Sequence, residues 1–124
     1  MATKLPPAEW KVMELLWQKP HTLMQLVSAL EASDAWSKST VTTLVRRLME
    51  KNLIGFELDG RTKNFFPKLR REQIVAEQTE TLLQKAYYGS VGSMVSAMVE
   101  RADLTQEDID ELYAILRKAE EGLK

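Results

Sequence analysis

Residues 36–68 read WSKSTVTTLVRRLMEKNLIGFELDGRTKNFFPK. The first half of this stretch predicts a helix over residues 38–52, because four apolar residues recur at i, i+3, i+4 and i+7. These residues are Val41, Leu44, Val45 and Leu48. Ser37 has the side chain of a helix N-cap, and Asn52 tolerates the left-handed conformation in which helices often end. The stretch therefore opens with a helix that has one apolar and one polar face.

The second half of the stretch changes to strand-like alternation. Residues 54–58 predict one strand and residues 61–66 predict a second, which Pro67 ends. Asp59-Gly60 between them predicts a type I′ turn, whose two central residues both need positive φ. A helix followed by a hairpin with a basic tip is typical of a winged helix-turn-helix. The recognition helix would be residues 38–52 and the wing residues 54–67.

Charge is distributed unevenly along the chain, although the formal net charge is only −1. Residues 37–71 contain nine basic and three acidic residues, whereas residues 72–124 contain five basic and eleven acidic ones. A basic patch confined to one module indicates a partner with a phosphate backbone. The alternative is a solvated charged surface that binds nothing.

The polar face of the predicted helix carries hydroxyl and guanidinium groups. Arg46 projects opposite the apolar stripe and can read guanine, while Arg47 lies at the margin of that face. Lys38, Arg61 and Lys63 are better placed for phosphates or an adjacent minor groove. The candidate DNA-binding residues are Lys38, Ser39, Thr40, Thr42, Thr43, Arg46, Arg47, Arg61 and Lys63.

Composition excludes several classes of function. The 124 residues include no cysteine and one histidine, His21, so disulfides and thiolate metal sites are excluded and a zinc site lacks ligands. No phosphate-binding loop or nucleophile–base pair is recognisable, and we expect no catalytic residue, metal or cofactor. No apolar tract is long enough to span a membrane and no signal peptide begins the chain, so a cytoplasmic location is expected.

Two further helices are predicted ahead of the recognition helix. Leu5-Pro6-Pro7 opens the first, whose tryptophans Trp10 and Trp17 we interpret as core anchors. Residues 19–22 break it, with His21 expected in a loop or cap. The second helix starts near Thr22, and a loop over residues 32–36 leads into the recognition helix. The first domain is thus predicted over residues 1–70.

Residues 71–124 are predicted to form a helical dimerisation region, giving a mainly α (α+β) fold. A helix over residues 71–88 is followed by a break bracketed by Gly89 and Gly92, a short apolar helix, and a last helix with an a/d seam. This much apolar surface favours a symmetric homodimer. The candidate dimerisation residues are Leu82, Met94, Val95, Met98, Ile109, Leu112 and Leu116.

Together these motifs resemble the penicillinase-repressor (BlaI/MecI/CopY) family of bacterial winged-helix regulators. The matching pieces are Leu5-Pro6-x-Ala8-Glu9-Trp10, Met13, Leu16-Trp17, Ser37-x-x-Thr40-Val41, Thr43-Leu44, Arg47-Leu48, Lys51, Asp59-Gly60-Arg61, Phe65-x-Pro67, Tyr88-Gly89 and Ile109-x-Glu111-Leu112. The resemblance implies a homodimeric transcriptional repressor on double-stranded DNA. Its winged helix would bind a palindromic operator, and its C-terminal helices would pair.

The inducing signal is not implied, because this chain departs from both known patterns of the family. Ala97-Met98 stands where penicillinase-type members carry the Asn-Phe bond that a protease cuts, and the Cys-x-Cys motifs of copper-responsive members are absent. An inducing protease or ligand therefore stays unidentified. Met94 and Met98 could suggest soft-metal sensing, but packing in an apolar helix is the more common role of such residues.

One alternative function from another class is a winged-helix module that docks on protein and never contacts DNA. Such a docking surface should be apolar. The predicted outer face of the recognition helix is hydroxylic and cationic instead, which favours DNA.

Overall fold

A computed structural model describes residues 3–123 of the chain. In chain order its elements are α1 (Pro7–Gln18), β1 (His21–Thr22), α2 (Leu23–Asp34), α3 (Lys38–Glu50), β2 (Ile54–Asp59), β3 (Thr62–Pro67), α4 (Arg71–Tyr87), α5 (Val91–Arg101) and α6 (Gln106–Glu121). The fold class predicted from sequence, mainly α with a small antiparallel sheet in a winged helix-turn-helix, is confirmed. The chain forms two compact units that divide between Glu80 and Thr81.

The core of the first unit is built from the apolar stripes of its helices. The predicted stripe of α3 is buried along its whole length, and α1 and α2 contribute their own buried faces. Two strand residues, Leu53 directly before β2, and one residue of α4 complete this core. Its members are Val12, Met13, Leu16, Leu26, Val27, Leu30, Val41, Leu44, Val45, Leu48, Leu53, Ile54, Phe65 and Ile74.

Side-chain caps fix the start of both helices of the helix-turn-helix. Thr22 and Gln25 form a capping box at α2, and Ser37 accepts a hydrogen bond from the Thr40 amide at the start of α3. The connection is shorter than the predicted loop over residues 32–36, because α2 continues to Asp34. Ala35 then turns the chain in the left-handed conformation, with φ of 56°.

The three-stranded sheet has the order β1-β3-β2, and its outer strand β1 was not predicted. His21 pairs with Phe65 and is buried, and its Nδ1 lies 2.7 Å from the Lys19 carbonyl oxygen. The expectation of a loop or cap residue was therefore wrong. A strand of two residues has no alternation to recognise, because its position depends on a partner more than forty residues away.

The turn at the tip of the wing also differs from the prediction. Asp59 pairs with Thr62, so the turn residues are Gly60 and Arg61. Gly60 has φ of 66°, whereas Asp59 and Arg61 have no positive φ. Glycine alone at the first central position is the pattern of a type II′ turn, so the predicted type I′ turn on Asp59-Gly60 is wrong. The observed register places Phe56 opposite Phe65, with ring centroids 6.0 Å apart.

An ion pair between the buried Glu9 and the exposed Lys51 holds the end of α3 against α1. Glu9 is 2% exposed, and its Oε1 accepts a hydrogen bond of 2.7 Å from Lys51 Nζ, which also donates to the Lys4 carbonyl oxygen. Lys51 follows α3 directly, and Asn52 then adopts φ of 61° as predicted for the helix end. The pair therefore fixes where the recognition helix stops relative to the core.

Replacing Lys51 by Met is expected to destabilise the protein by about 3 kcal/mol, because it leaves the Glu9 carboxylate buried without a counter-charge. Urea unfolding monitored by circular dichroism measures the loss. A double variant, Glu9→Met with Lys51→Met, should recover most of it, since both charges are then gone. Lys11→Met, which breaks the exposed Lys11–Asp34 pair, is the control with a smaller expected loss. A Lys51→Met variant as stable as the wild type would contradict the role of Lys51 as the counter-charge of the Glu9 carboxylate.

The start of α4 belongs to the first unit. Trp17 Nε1 donates to the Leu69 carbonyl oxygen at 2.9 Å, and Arg71 Nε donates to Glu14 Oε1 at 3.0 Å. Ile74 is fully buried. Trp10 packs edge-on against Trp17 with centroids 5.6 Å apart. The two tryptophans thus serve as core anchors that also tie α1 to the residues entering α4.

The second unit contains the end of α4, then α5 and α6. Ser90 caps α5, and Thr105 with Asp108 forms a capping box at the start of α6. Gly89 makes the break with φ of 81°, but Gly92 lies inside α5 rather than at the edge of the break. Of the described residues in α5 and α6, none is buried. The apolar side chains of these helices are therefore at least partly exposed within one chain.

Candidate nucleic-acid interface

The outer face of α3 is the main candidate surface for DNA. The buried stripe turns the other side of the helix outward, and the side chains of that side are hydroxylic or cationic. Lys38, Ser39, Thr40, Thr42, Arg46 and Arg47 are exposed and Thr43 is half-buried. All seven predicted residues of this helix are therefore available on one element.

Hydrogen bonds within α3 limit what its hydroxyl groups can do. Thr42 donates to the Lys38 carbonyl oxygen at 2.8 Å, and Thr43 donates to the Ser39 carbonyl oxygen at 3.0 Å. The hydroxyl of Thr40 contacts the Ser37 cap at 3.1 Å. Thr42 and Thr43 therefore present acceptor lone pairs and methyl groups. Those groups suit base amino groups and the thymine methyl.

Arg46 is the most versatile side chain of this face. Its Nε lies 3.7 Å from Glu50 Oε1, and both side chains are about two-thirds exposed, at 65% and 67%. An exposed pair at i, i+4 contributes only about 0.3–0.5 kcal/mol, so a stronger acceptor can displace Glu50. The guanidinium can thus be redirected to a base edge at little cost.

The wing places two more basic residues near α3. Arg61 occupies the turn, and Lys63 Nζ lies 4.6 Å from the centroid of the Phe56 ring. That cation–π contact holds the ammonium on the hairpin face that also carries Phe65. Glu57 and Asp59 alternate onto the opposite face of the hairpin. The wing therefore presents a cationic side and an acidic side.

A groove separates α3 from the wing and has a volume of about 590 Å³. We call it the α3–wing groove. Its apolar lining comprises Leu23, Met24, Val45, Met49, Phe56 and Phe65. Its polar and cationic lining comprises Thr22, Thr42, Arg46, Arg61, Thr62 and Lys63. This groove could not be predicted from sequence, because its residues come from five separate elements.

The candidate dimerisation residues all lie in the second unit. Leu82 is on α4, Met94, Val95 and Met98 are on α5, and Ile109, Leu112 and Leu116 are on α6. Val95, Met98 and Leu112 line one cavity of about 450 Å³ between α5 and α6. Leu116 is 60% exposed and Met98 is 58% exposed. Some of these residues thus pack within the chain, while others face outward.

Within residues 3–123 no group of three or more His, Asp or Glu side chains could hold a metal ion. No helix in the same range combines the length and apolar character needed to cross a membrane.

With this geometry established, comparison with known proteins assigns the family. The family profile described as Penicillinase repressor matches residues 5–118. The chain belongs to the penicillinase repressor family. The resemblance stated from the motifs is therefore confirmed.

Relatives in this family match nearly the whole chain. The methicillin resistance regulatory protein MecI of Staphylococcus aureus (strain N315) is 29% identical over 116 residues, covering 93% of this chain and 94% of that protein. The penicillinase repressor of Bacillus licheniformis is 27% identical over 116 residues, covering 93% and 91%. As a member of this family the protein is a DNA-binding transcriptional repressor and not an enzyme. The alternative of a docking module that never contacts DNA is thereby set aside.

The chain is also similar to two solved structures. The transcription regulator MepR of Staphylococcus aureus superposes with a TM-score of 0.50 at 22% identity, covering 95% of this chain and 79% of that one. The DNA-binding domain of the repressor BlaI gives a TM-score of 0.49 at 25% identity, covering 57% and 90%.

Proposed function

We propose that this penicillinase repressor family member binds a palindromic operator as a homodimer, with α3 in the major groove and the β2–β3 wing beside it. The observation that carries the proposal is the outer face of α3, where exposed hydroxyl and guanidinium groups lie next to the cationic side of the wing. A helix of this kind, inserted by its N-terminal half, is how winged helix-turn-helix proteins read base edges.

Different residues of this surface have different roles in the proposal. Arg46 reads a base, and Ser39, Thr42 and Thr43 add acceptor and methyl contacts. Lys38 at the start of α3 and Arg61 and Lys63 on the wing hold phosphates. The N-terminus of α3, with its Ser37 cap, adds backbone amides that favour an anion. Thr40 contributes at this N-terminal end of α3, and Arg47 binds phosphate at the margin of the outer face of the helix.

In the proposal the chain dimerises through its C-terminal helical region, residues 71–124, of which residues 81–124 form the second unit. Support comes from the outward apolar side chains of α5 and α6, such as Val91, Met98, Ile115 and Leu116, which are all more than half exposed. An apolar surface of this kind on two helices is suited to a second copy of the chain. Two-fold symmetry of the protein then requires a two-fold symmetric operator.

Replacing Arg46 by Ala tests base reading directly. The expected loss is about 1–3 kcal/mol on the best operator, with relaxed preference at one base position in each half-site. Lys63→Ala should instead weaken operator and scrambled DNA by about the same factor. Calorimetric titration of each variant with both DNAs gives the comparison. Equal losses of Arg46→Ala on the two DNAs would reassign that residue to phosphate, and base reading would pass to Ser39, Thr42 and Thr43.

Selection of bound sequences from a random DNA pool tests the palindrome. The expected result is two inverted half-sites whose centres are about 10 base pairs, or a multiple of that spacing, apart. A selected site with a single unrepeated motif would contradict symmetric binding while leaving DNA binding itself intact.

A further inference from the structure

The α3–wing groove has a chemical character that DNA binding does not explain. Its floor is apolar and includes Met24, which is 56% exposed, and Phe56, which is 37% exposed. Phosphate contacts need cations and hydrogen-bond donors, not a floor of methionine and phenylalanine. Exposed apolar side chains grouped in one concave place indicate an apolar occupant.

The size of the groove restricts that occupant. A volume of about 590 Å³ lies within the range of about 300–1,000 Å³ typical of small-molecule sites. The Phe56 and Phe65 rings meet at an interplanar angle of 66°, so their faces and edges both contribute to the lining. Met24 and Met49 are flexible and polarisable, and such side chains adapt to flat aromatic ligands. A compact aromatic body therefore fits this floor.

The charge of the rim determines the polar end of the occupant. Three cationic side chains line the groove, namely Arg46, Arg61 and Lys63. Among the described residues that line it, none is acidic. Glu57 and Asp59 lie on the other face of the hairpin, and Glu50 contacts Arg46 at 3.7 Å from outside the lining. The electrostatic complement of this rim is an anion.

We propose that the α3–wing groove binds a small aromatic anion, with its flat apolar body on the floor and its carboxylate or sulfonate among Arg46, Arg61 and Lys63. The proposal also holds that this ligand and the operator exclude each other. That second part rests on the proposed function, because it requires the same three cations to contact DNA. A ligand that neutralises them removes both a base-reading group and two phosphate contacts.

The probe for this site is 2-naphthoate, with 2-naphthalenemethanol as the neutral molecule of similar shape. Titration of the DNA-free, full-length protein by two-dimensional NMR should move the amide signals of Met24, Thr42 and Lys63. The expected dissociation constant for naphthoate is about 1 mM or lower, given its thirteen or so non-hydrogen atoms. The alcohol should bind at least about tenfold more weakly, because it lacks the charge that the rim complements.

A charge placed on the floor provides the discriminating variant. Met24→Glu should abolish naphthoate binding by repulsion, and the exposure of Met24 allows the change without loss of the fold. Ala32→Glu is the matched control, because it adds the same charge to α2 about 12 Å further along the helix. It should leave naphthoate binding unchanged. Thermal melts of both variants verify that the fold is retained.

Competition is measured on the wild-type protein with operator DNA. Naphthoate at ten times its dissociation constant should lower the apparent affinity of the homodimer for the operator about 120-fold, because a factor of about eleven applies to each of the two grooves. Signal changes confined to residues 81–123, equal binding of the alcohol, or unchanged binding to Met24→Glu would each overturn the groove assignment. Unchanged operator affinity at saturating naphthoate would overturn mutual exclusion. Operator titrations without naphthoate test the proposed function separately, so the two failures are distinguishable.

Discussion

Replacing Leu116 by Asp is expected to convert the protein into a monomer and to weaken operator binding by about 10²- to 10⁴-fold. Leu116 is 60% exposed within the chain, so an aspartate there is hydrated in a monomer but buried without a partner in a dimer. Operator binding should fall because a monomer cannot bind both half-sites at once. Analytical ultracentrifugation gives the particle size, and gel-shift titration gives the affinity.

The matched control is Ala114→Asp, which adds the same charge to the opposite face of α6. It should leave both the dimer and the operator affinity close to those of the wild type. Leu112→Asp is a less selective change, because Leu112 also lines the cavity between α5 and α6 within one chain. A Leu116→Asp variant that sediments as a dimer of wild-type size would remove this face of α6 from the interface.

Operator binding is also expected to depend steeply on salt. The proposed phosphate-binding residues are Lys38, Arg47, Arg61 and Lys63. If each holds one phosphate in both protomers, eight contacts give a slope of about −7.2 for log K against log salt. The affinity then falls by about 10⁴-fold between 50 and 200 mM salt. The physical cause is the release of condensed counterions, which becomes less favourable as the bulk salt concentration rises.

Charge-removing variants make the salt dependence specific to this surface. Lys63→Gln removes one phosphate contact from each protomer and should reduce the magnitude of the slope of log K against log salt by about 1.8. Lys118→Gln on α6 removes the same charge from the second unit and should not change it. A slope near zero for the wild type, or equal changes of the slope for the two variants, would show that the basic residues of the stretch 37–71 do not form the binding surface.

Local patterns were sufficient to predict the helices of the first unit. The stripe of α3 could be located from sequence because its four apolar residues all face one core, and its caps are local hydrogen bonds between residues three apart. The capping boxes of α2 and α6 are local in the same way. Such features depend on a few consecutive residues, which is why the starts of α2 and α3 and the end of α3 agreed to within about two residues. The α2 helix continues three residues beyond its predicted end.

Features that depend on distant partners could not be predicted. The strand character of His21 follows from its pairing with Phe65, and the register of the wing follows from the aromatic contact between Phe56 and Phe65. That contact moves the turn from Asp59-Gly60 to Gly60-Arg61. An Asp-Gly pair is a strong turn signal, but it does not determine which residue lies first in the turn when side-chain pairing favours another register.

The polar residues of the candidate site could be identified one by one from sequence. Their arrangement into one surface could not be predicted. The polar positions of α3 follow from helical periodicity, whereas the distance between Arg46 and the wing depends on how the hairpin packs. The ion pair of Glu9 and Lys51 joins residues that are 42 positions apart, so no local pattern indicates it. The apolar α3–wing groove belongs to the same class, since its floor combines parts of α2, α3, β2 and β3.

The division of the chain between Glu80 and Thr81 also separates its chromophores. All three tryptophans, Trp10, Trp17 and Trp36, lie in the first unit, whereas all three tyrosines, Tyr87, Tyr88 and Tyr113, lie in the second. Intrinsic fluorescence excited at the red edge of the absorption band therefore reports on the DNA-binding unit alone, and tyrosine emission reports on the helices proposed to pair. Each half of the protein carries its own optical label, so its unfolding can be followed without any added dye.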